Sequence, residues 1–234
     1  MYELTRIVAS SDCGGDRKMT LGALLELISD CELFQIESDP FLTDYLTKNG
    51  FVMYLGSRQA DITRLPAYGE SVKAVTSIYE MQGAYGYRNT FVYGADGAPL
   101  VRSYGMGLLV DRKANKLAKA PHDSFAAYRY DKKLEMDYLP RRIDLAGPAR
   151  TEPPFAVPRA YIDLYDHVNN TRYVTAAAEY LPAAAKISRL RVEYKNAARY
   201  GDVIHAAVYT PPAKTIVELK SPDDKPYAIV EFTH

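Results

Sequence analysis

The sequence predicts an α+β fold built twice in one chain. Three observations carry that expectation: a repeat at constant offset, one helical segment per copy among many strand-like runs, and a proline-rich stretch between the copies. Asp61-Ile62 followed by Tyr68-Gly69-Glu70-Ser71-Val72 returns as Glu193-Tyr194 followed by Tyr200-Gly201-Asp202-Val203-Ile204. Both landmarks recur 132 residues on, 61 to 193 and 68 to 200. Between the copies stand Pro140, Pro148, Pro153, Pro154 and Pro158. Proline removes an N–H donor and pushes the preceding residue toward extended backbone. Residues 140–158 therefore read as a linker between a domain at 1–139 and a domain at 159–234.

In the first copy Tyr2 to Val8 alternates as a strand does, and a helix is expected from about Thr20, where Leu21, Leu24, Leu25 and Ile28 recur on one face. Strand-like runs follow near 51–63, 71–81, 86–94 and 99–111, and the turn Ala95-Asp96-Gly97-Ala98-Pro99 makes the last two a hairpin. The second copy repeats the order. A β-rich segment, Val157 to Leu164, leads to an alanine-rich helix, Thr171 to Ala185, and then to runs near 187–195, 202–210, 214–220 and 226–233 with a turn at Pro222 to Pro226. An antiparallel sheet wrapped round one helix satisfies each copy. The stretch from helix start to the shared Tyr-Gly turn is longer in the first copy (20 to 68) than in the second (171 to 200) by about 19 residues. That surplus, roughly Glu37 to Phe51, is expected to add a helical turn as a lid over an apolar cavity or as a surface elaboration.

Lysine plus arginine equal aspartate plus glutamate at 29 each, so neither nucleic acid nor a membrane surface is expected as a partner. Two cysteines, Cys13 and Cys31, and a first stretch without the apolar run of a signal peptide point to a reducing cytoplasm. His122, His167, His205 and His234 lack paired spacing, so no metal site is expected. No glycine-rich nucleotide loop and no Gly-x-Ser-x-Gly elbow is present, which leaves no expected cofactor and no serine nucleophile of that type.

The chemistry concentrates in Asp163-Leu164-Tyr165-Asp166-His167-Val168-Asn169-Asn170-Thr171-Arg172-Tyr173. A carboxylate, an imidazole and two amides fall where strand gives way to helix, and a helix head offers unpaired N–H groups and positive potential to a polarised carbonyl oxygen. Asp163 is a candidate base or nucleophile and otherwise a turn or capping carboxylate. His167 is a candidate for positioning substrate or water and otherwise a packed structural histidine. One of Asn169 and Asn170 is expected to cap the helix. The first copy has no such string; its corresponding stretch is Ser11-Asp12-Cys13-Gly14-Gly15-Asp16-Arg17, so one active site per chain is expected.

This Asp-x-x-x-His-Val-Asn-Asn-x-x-Tyr string resembles the signature of hotdog-fold thioesterases, most closely the acyl-acyl-carrier-protein (acyl-ACP) thioesterases. The resemblance covers essentially the whole chain as two tandem hotdog domains, each an antiparallel sheet wrapped around a central helix. It implies hydrolysis of a fatty acyl thioester on acyl carrier protein, with Asp163, His167, Asn169 and Asn170 matching family site positions. It also implies a first hotdog that holds the acyl chain and a second that holds the chemistry. Two departures stand out: Tyr165 occupies the place of an asparagine, and Ala197 and Ala198 stand where the family carries an acid and, in plant members, a cysteine. Acyl-CoA hydrolysis, hydration of an acyl-CoA, and a non-catalytic acyl-binding role remain alternatives. Arg141, Arg142, Arg159, Arg172, Arg189 and Arg191 form a basic scatter suited to an acidic carrier or to ordinary solvated ion pairs. A monomer with an internal hotdog pair and a homodimer both satisfy the tandem arrangement.

Overall fold

The computed structural model describes residues 1–118, 120–182 and 185–234, and of His122 the backbone only. The chain forms two compact units, the first made of Met1–Gly56 and Thr63–Tyr138, the second of Ser57–Ile62 and Leu139–His234.

In the first unit the chain runs β1 (Tyr2–Ile7), α1 (Leu21–Ser38), α2 (Pro40–Asn49), the start of β2 (Phe51–Ile62, whose end from Ser57 belongs to the second unit), β3 (Ser71–Gln82), β4 (Tyr85–Tyr93), β5 (Pro99–Asp111) and the short β6 (Lys116–Leu117). β1, β3, β4 and β5 lie side by side and antiparallel, and β6 folds back on β5. α1 starts where Thr20 caps it, the Thr20 Oγ1 accepting from the Ala23 N–H at 3.2 Å. Its Leu24, Leu25, Leu27 and Ile28 are fully buried, and it packs on β1, β3 and β4. Burying four such side chains is worth roughly 6–12 kcal/mol before the ordering entropy is counted.

The surplus stretch folds as α2, begun by Asp39, whose Oδ1 accepts from the Phe41 and Leu42 N–H groups, and ended by Gly50 in the left-handed conformation (φ +65°). α2 contributes Leu42, Phe41, Tyr45 and Leu46 to an apolar cluster with Phe51, Ile78, Leu109 and Phe125. The Tyr45 hydroxyl in that cluster is buried without a hydrogen-bond partner among the described residues.

The second unit contains β7 (Arg150–Thr151), β8 (Phe155–Ala156), α3 (Asn170–Ala178), β9 (Arg189–Tyr194), β10 (Val203–Tyr209), β11 (Lys214–Lys220) and β12 (Pro226–Thr233). Ser57–Asp61 of β2 pairs with β9, and the sheet continues antiparallel through β12, β11 and β10 to β7. α3 lies on β11 and β12 with Tyr173, Val174, Ala176 and Ala177 buried. Each unit is thus one antiparallel sheet around one principal helix, the hotdog arrangement.

Two expectations of secondary structure need correction. Val157 to Leu164 is not a strand: Val157 alone is tied to the sheet edge, and Pro158 then opens a 3-10 turn at Arg159–Tyr161. The strand positions along β10 are filled instead by β7 and β8, both inside the 140–158 segment and separated by the donorless Pro153-Pro154. That segment is also held down: Ile143 N–H donates to Glu193, and the Arg191 guanidinium donates to the Pro140 and Arg142 carbonyls. The second helix ends at Ala178 rather than Ala185, because Pro182 removes a donor and disfavours helical backbone before it. Ala183 and Ala184 of the expected helix lie outside the described residues.

Both units close the same turn. Gly69 and Gly201 have φ +80° and +84°, a conformation that costs other residues about 1–2 kcal/mol. Gly69 N–H donates to the Val8 carbonyl and Val8 N–H to Glu70; Gly201 N–H donates to the Val157 carbonyl and Val157 N–H to Asp202.

Candidate active site

In the second unit, Ile162 and Val168 form an antiparallel bridge ahead of α3. One step nearer the tip, the Asp163 N–H donates to the His167 carbonyl at 2.9 Å. Residues directly opposed in an antiparallel ribbon project to the same side, with Cβ atoms about 5 Å apart. That bond places Asp163 and His167 opposite one another in the turn. Asp166 completes the tip with φ +61°, a left-handed position that aspartate tolerates better than most residues. Asp163 Oδ1 accepts from the Tyr165 N–H at 2.8 Å, an Asx turn that orients the carboxylate and leaves Oδ2 without a protein donor among the described residues.

The helix head follows at once. Asn169 is the cap: its Oδ1 accepts from the Thr171 N–H and hydroxyl, both at 2.9 Å, and its carbonyl accepts from the Arg172 N–H. Asn170 is the first helical residue, and its carbonyl accepts from the Tyr194 hydroxyl at 3.1 Å. Among the described residues neither its N–H nor its side-chain amide finds an acceptor, so these donors are uncommitted at the end of the helix where the dipole favours negative charge.

A third wall comes from the loop after β9. The Ala198 carbonyl accepts from the Val168 N–H and the Ala198 N–H donates to the Tyr173 hydroxyl, both at 2.8 Å. Arg199 N–H donates to Asp202 Oδ2 at 2.8 Å, and Arg199 Nη2 lies 3.4 Å from His167 Nε2. Tyr173 is 2% exposed, and burial pushes its phenol up to about 12, with Tyr227 and the Asp202 and Asp163 carboxylates adding to the shift. Ala198 is buried and Ala197 exposed, so no acid or thiol side chain stands at these two positions.

Asp163, Tyr165 and His167 thus share one turn, and Asn169 and Asn170 continue from it into the helix. Asn169 commits its Oδ1 to capping, while the Asn170 side chain makes no hydrogen bond among the described residues. Tyr173 closes the motif string, whereas Arg199 and the Tyr194 hydroxyl are neighbours that motif reading did not single out. The repeat held a signal for Arg199, which stands 132 residues beyond Ala67. A surface groove of about 440 Å³ lies elsewhere, in the first unit, lined by Thr5, Ser71, Lys73, Tyr93 and the 94–97 turn, and includes no motif residue. Among the described residues no group of three or more His, Cys, Asp or Glu is placed to hold a metal ion. No described helix is long and apolar enough to cross a membrane.

Residues 1–128 match the acyl-ACP thioesterase N-terminal domain and residues 148–225 the acyl-ACP thioesterase C-terminal domain. No curated protein sequence matches the chain. Among solved structures, an acyl-ACP thioesterase from Bacteroides thetaiotaomicron superposes with a TM-score of 0.89 at 17% identity, over 99% of this chain and 96% of that one. A 12:0-ACP thioesterase from Umbellularia californica superposes with a TM-score of 0.81 at 16% identity, over 99% and 96%. Identities this low establish the shared fold, and the two family models, spanning both units, establish the descent. The chain belongs to the acyl-ACP thioesterase family and is a thioester hydrolase of the tandem hotdog type.

Proposed function

We propose that the turn at 163–167 and the head of α3 form the catalytic centre for hydrolysis of a fatty acyl-ACP thioester to free fatty acid and carrier thiol. The placement of Asp163 and His167 as opposed residues of one turn, directly before a helix head with uncommitted donors at Asn170, supports this reading. Asp163 takes a proton from a water that attacks the thioester carbonyl, or attacks the carbonyl itself to give a mixed anhydride that a water then cleaves to free acid and carboxylate, the water's proton going to the released thiolate. The negative charge that builds on the carbonyl oxygen is met by the Asn170 N–H and side-chain amide. Collapse expels the carrier thiolate, a good leaving group that takes up the proton. His167 positions the substrate or the water, and the Tyr165 N–H keeps Asp163 oriented. In this reading the domain at 1–139 takes the acyl chain, the domain at 159–234 carries the chemistry, and 140–158 joins them. A cytoplasmic location fits the two free cysteines; burial pushes the Cys31 thiol up to about 11, which keeps it inert. A monomer with its own hotdog pair satisfies the tandem chain.

Hydrolysis assays with matched acyl-ACP and acyl-CoA panels test the substrate, and Asp163→Asn tests the centre. Wild type is expected to favour acyl-ACP, and Asp163→Asn to lose about 10³-fold in kcat on the scale of a general base or nucleophile. Equal rates for wild type and Asp163→Asn would remove this mechanism. Preference for acyl-CoA, or hydration of an enoyl thioester without hydrolysis, would move the chain to a different hotdog activity.

A further inference from the structure

The second unit brings a charged side chain onto His167 that neither the motif nor the family match assigns. The loop carrying it is fixed on three sides: the Ala198 carbonyl by Val168, the Ala198 N–H by Tyr173, and the Arg199 N–H by Asp202. The first unit supplies an internal control. There the Met19 N–H donates to the Pro66 carbonyl at 2.8 Å and the Ala67 N–H to Glu70 Oε2 at 3.0 Å, the same clamp closed with alanine at the matching position, while Arg64 grips Glu70 from the other side at 2.7 and 2.8 Å. Ala67 stands in the place of Arg199, and Lys18 in the place of His167. An arginine at that matching position is therefore not what closes the clamp in the first unit. Arginine is present in the copy that also has the histidine.

A guanidinium has no acceptor and stays charged throughout the working pH range. Its Nη2 can approach His167 Nε2 at 3.4 Å as a hydrogen-bond donor only if that nitrogen carries a lone pair. We propose that Arg199 is a positioning residue for His167, selecting the Nδ1–H tautomer so that Nδ1–H is the group offered to the thioester carbonyl or the attacking water. This rests on the reading of His167 as part of the catalytic centre. It also gives a role to the loop whose Ala197 and Ala198 hold no acid or thiol: the loop acts through its arginine on the histidine.

The test is the tautomer itself, read from side-chain ¹⁵N shifts of the full chain at neutral pH, with the His167 signals assigned by their loss in His167→Gln. Wild type is expected to show an unprotonated Nε2 and a protonated Nδ1. Arg199→Ala is expected to move His167 toward the Nε2–H form and to lower kcat about fivefold with KM little changed, the scale of one exposed charged hydrogen bond. Arg199→Lys, which keeps an obligate cationic donor, is expected to restore the wild-type tautomer. A wild-type Nε2–H or imidazolium signal, or an unchanged tautomer in Arg199→Ala, would overturn the assignment. Because the spectrum needs no turnover, failure of the parent reading, seen as full activity in His167→Gln, is distinguishable from failure here.

Discussion

The turn Cys13–Met19 in the first unit and the turn Ile162–Val168 in the second share one backbone at an offset of 149 residues (13 to 162, 19 to 168). Each is closed by an antiparallel bridge between its end residues. Gly14 N–H donates to the Lys18 carbonyl as Asp163 N–H does to that of His167, and Arg17 and Asp166 both sit in the left-handed region at φ +62° and +61°. A side-chain cap starts the helix after each, Thr20 in one and Asn169 in the other. What differs is what the shared frame carries: Gly14 and Lys18 in place of Asp163 and His167, and Ala67 in place of Arg199. Structure and chemistry separate cleanly here, since the frame closes with either set.

One pair of differences is itself physical. Ala198 has a buried N–H that needs an acceptor, and the Tyr173 hydroxyl supplies it. In the first unit the matching residue is Pro66, which has no N–H, and the residue matching Tyr173 is Leu24, fully buried and with no polar atom in its side chain. Donor and acceptor are present together or absent together, as the cost of an unmet buried donor requires.

The comparison can be broken first at the histidine. His167→Ala is expected to lower kcat about a hundredfold, while Lys18→Ala, its counterpart, changes it less than about twofold; comparable losses at both positions would mean that the first turn also serves the reaction. The buried donor comes next. Tyr173→Phe should cost about 2 kcal/mol in urea unfolding. Ala198→Pro in the same chain, copying the first unit, should recover part of that loss, and strictly additive effects would show that the two residues are not coupled. The caps give the smallest effect: Asn169→Ala and Thr20→Ala should each cost about 1 kcal/mol, and a much larger loss of activity than of stability in Asn169→Ala would assign that amide to catalysis as well.

The repeat was legible because it is anchored by backbone demands that few residues meet. Gly69 and Gly201 both need a left-handed φ, and the flanking strands keep their alternation. The start of each helix showed in Thr20 and Asn169, and the strands after it in their β-rich runs. Val157 to Leu164 misled because its composition suits a strand while Pro158 denies it one. The helix end misled because alanine favours helix but Pro182 stops it. Arg199 was hidden for another reason: its meeting with His167 joins positions 32 residues apart through a loop whose course depends on Val168 and Tyr173, and no local pattern records such a contact.

β2 is divided between the two compact units, and its Ser57–Ile62 end belongs with residues 139–234. There Asp61 receives a two-pronged pair of bonds from Arg189, at 2.6 and 3.0 Å, and the backbone covers the outer side of β9. A gene fragment that begins at codon 139 would encode a half-protein with that side bare, a row of unmet amide and carbonyl groups of the kind that nucleates aggregation. Dissecting the enzyme into separately expressed halves thus calls for a transplanted hexapeptide, or a circularly permuted gene, rather than a cut at the prolines.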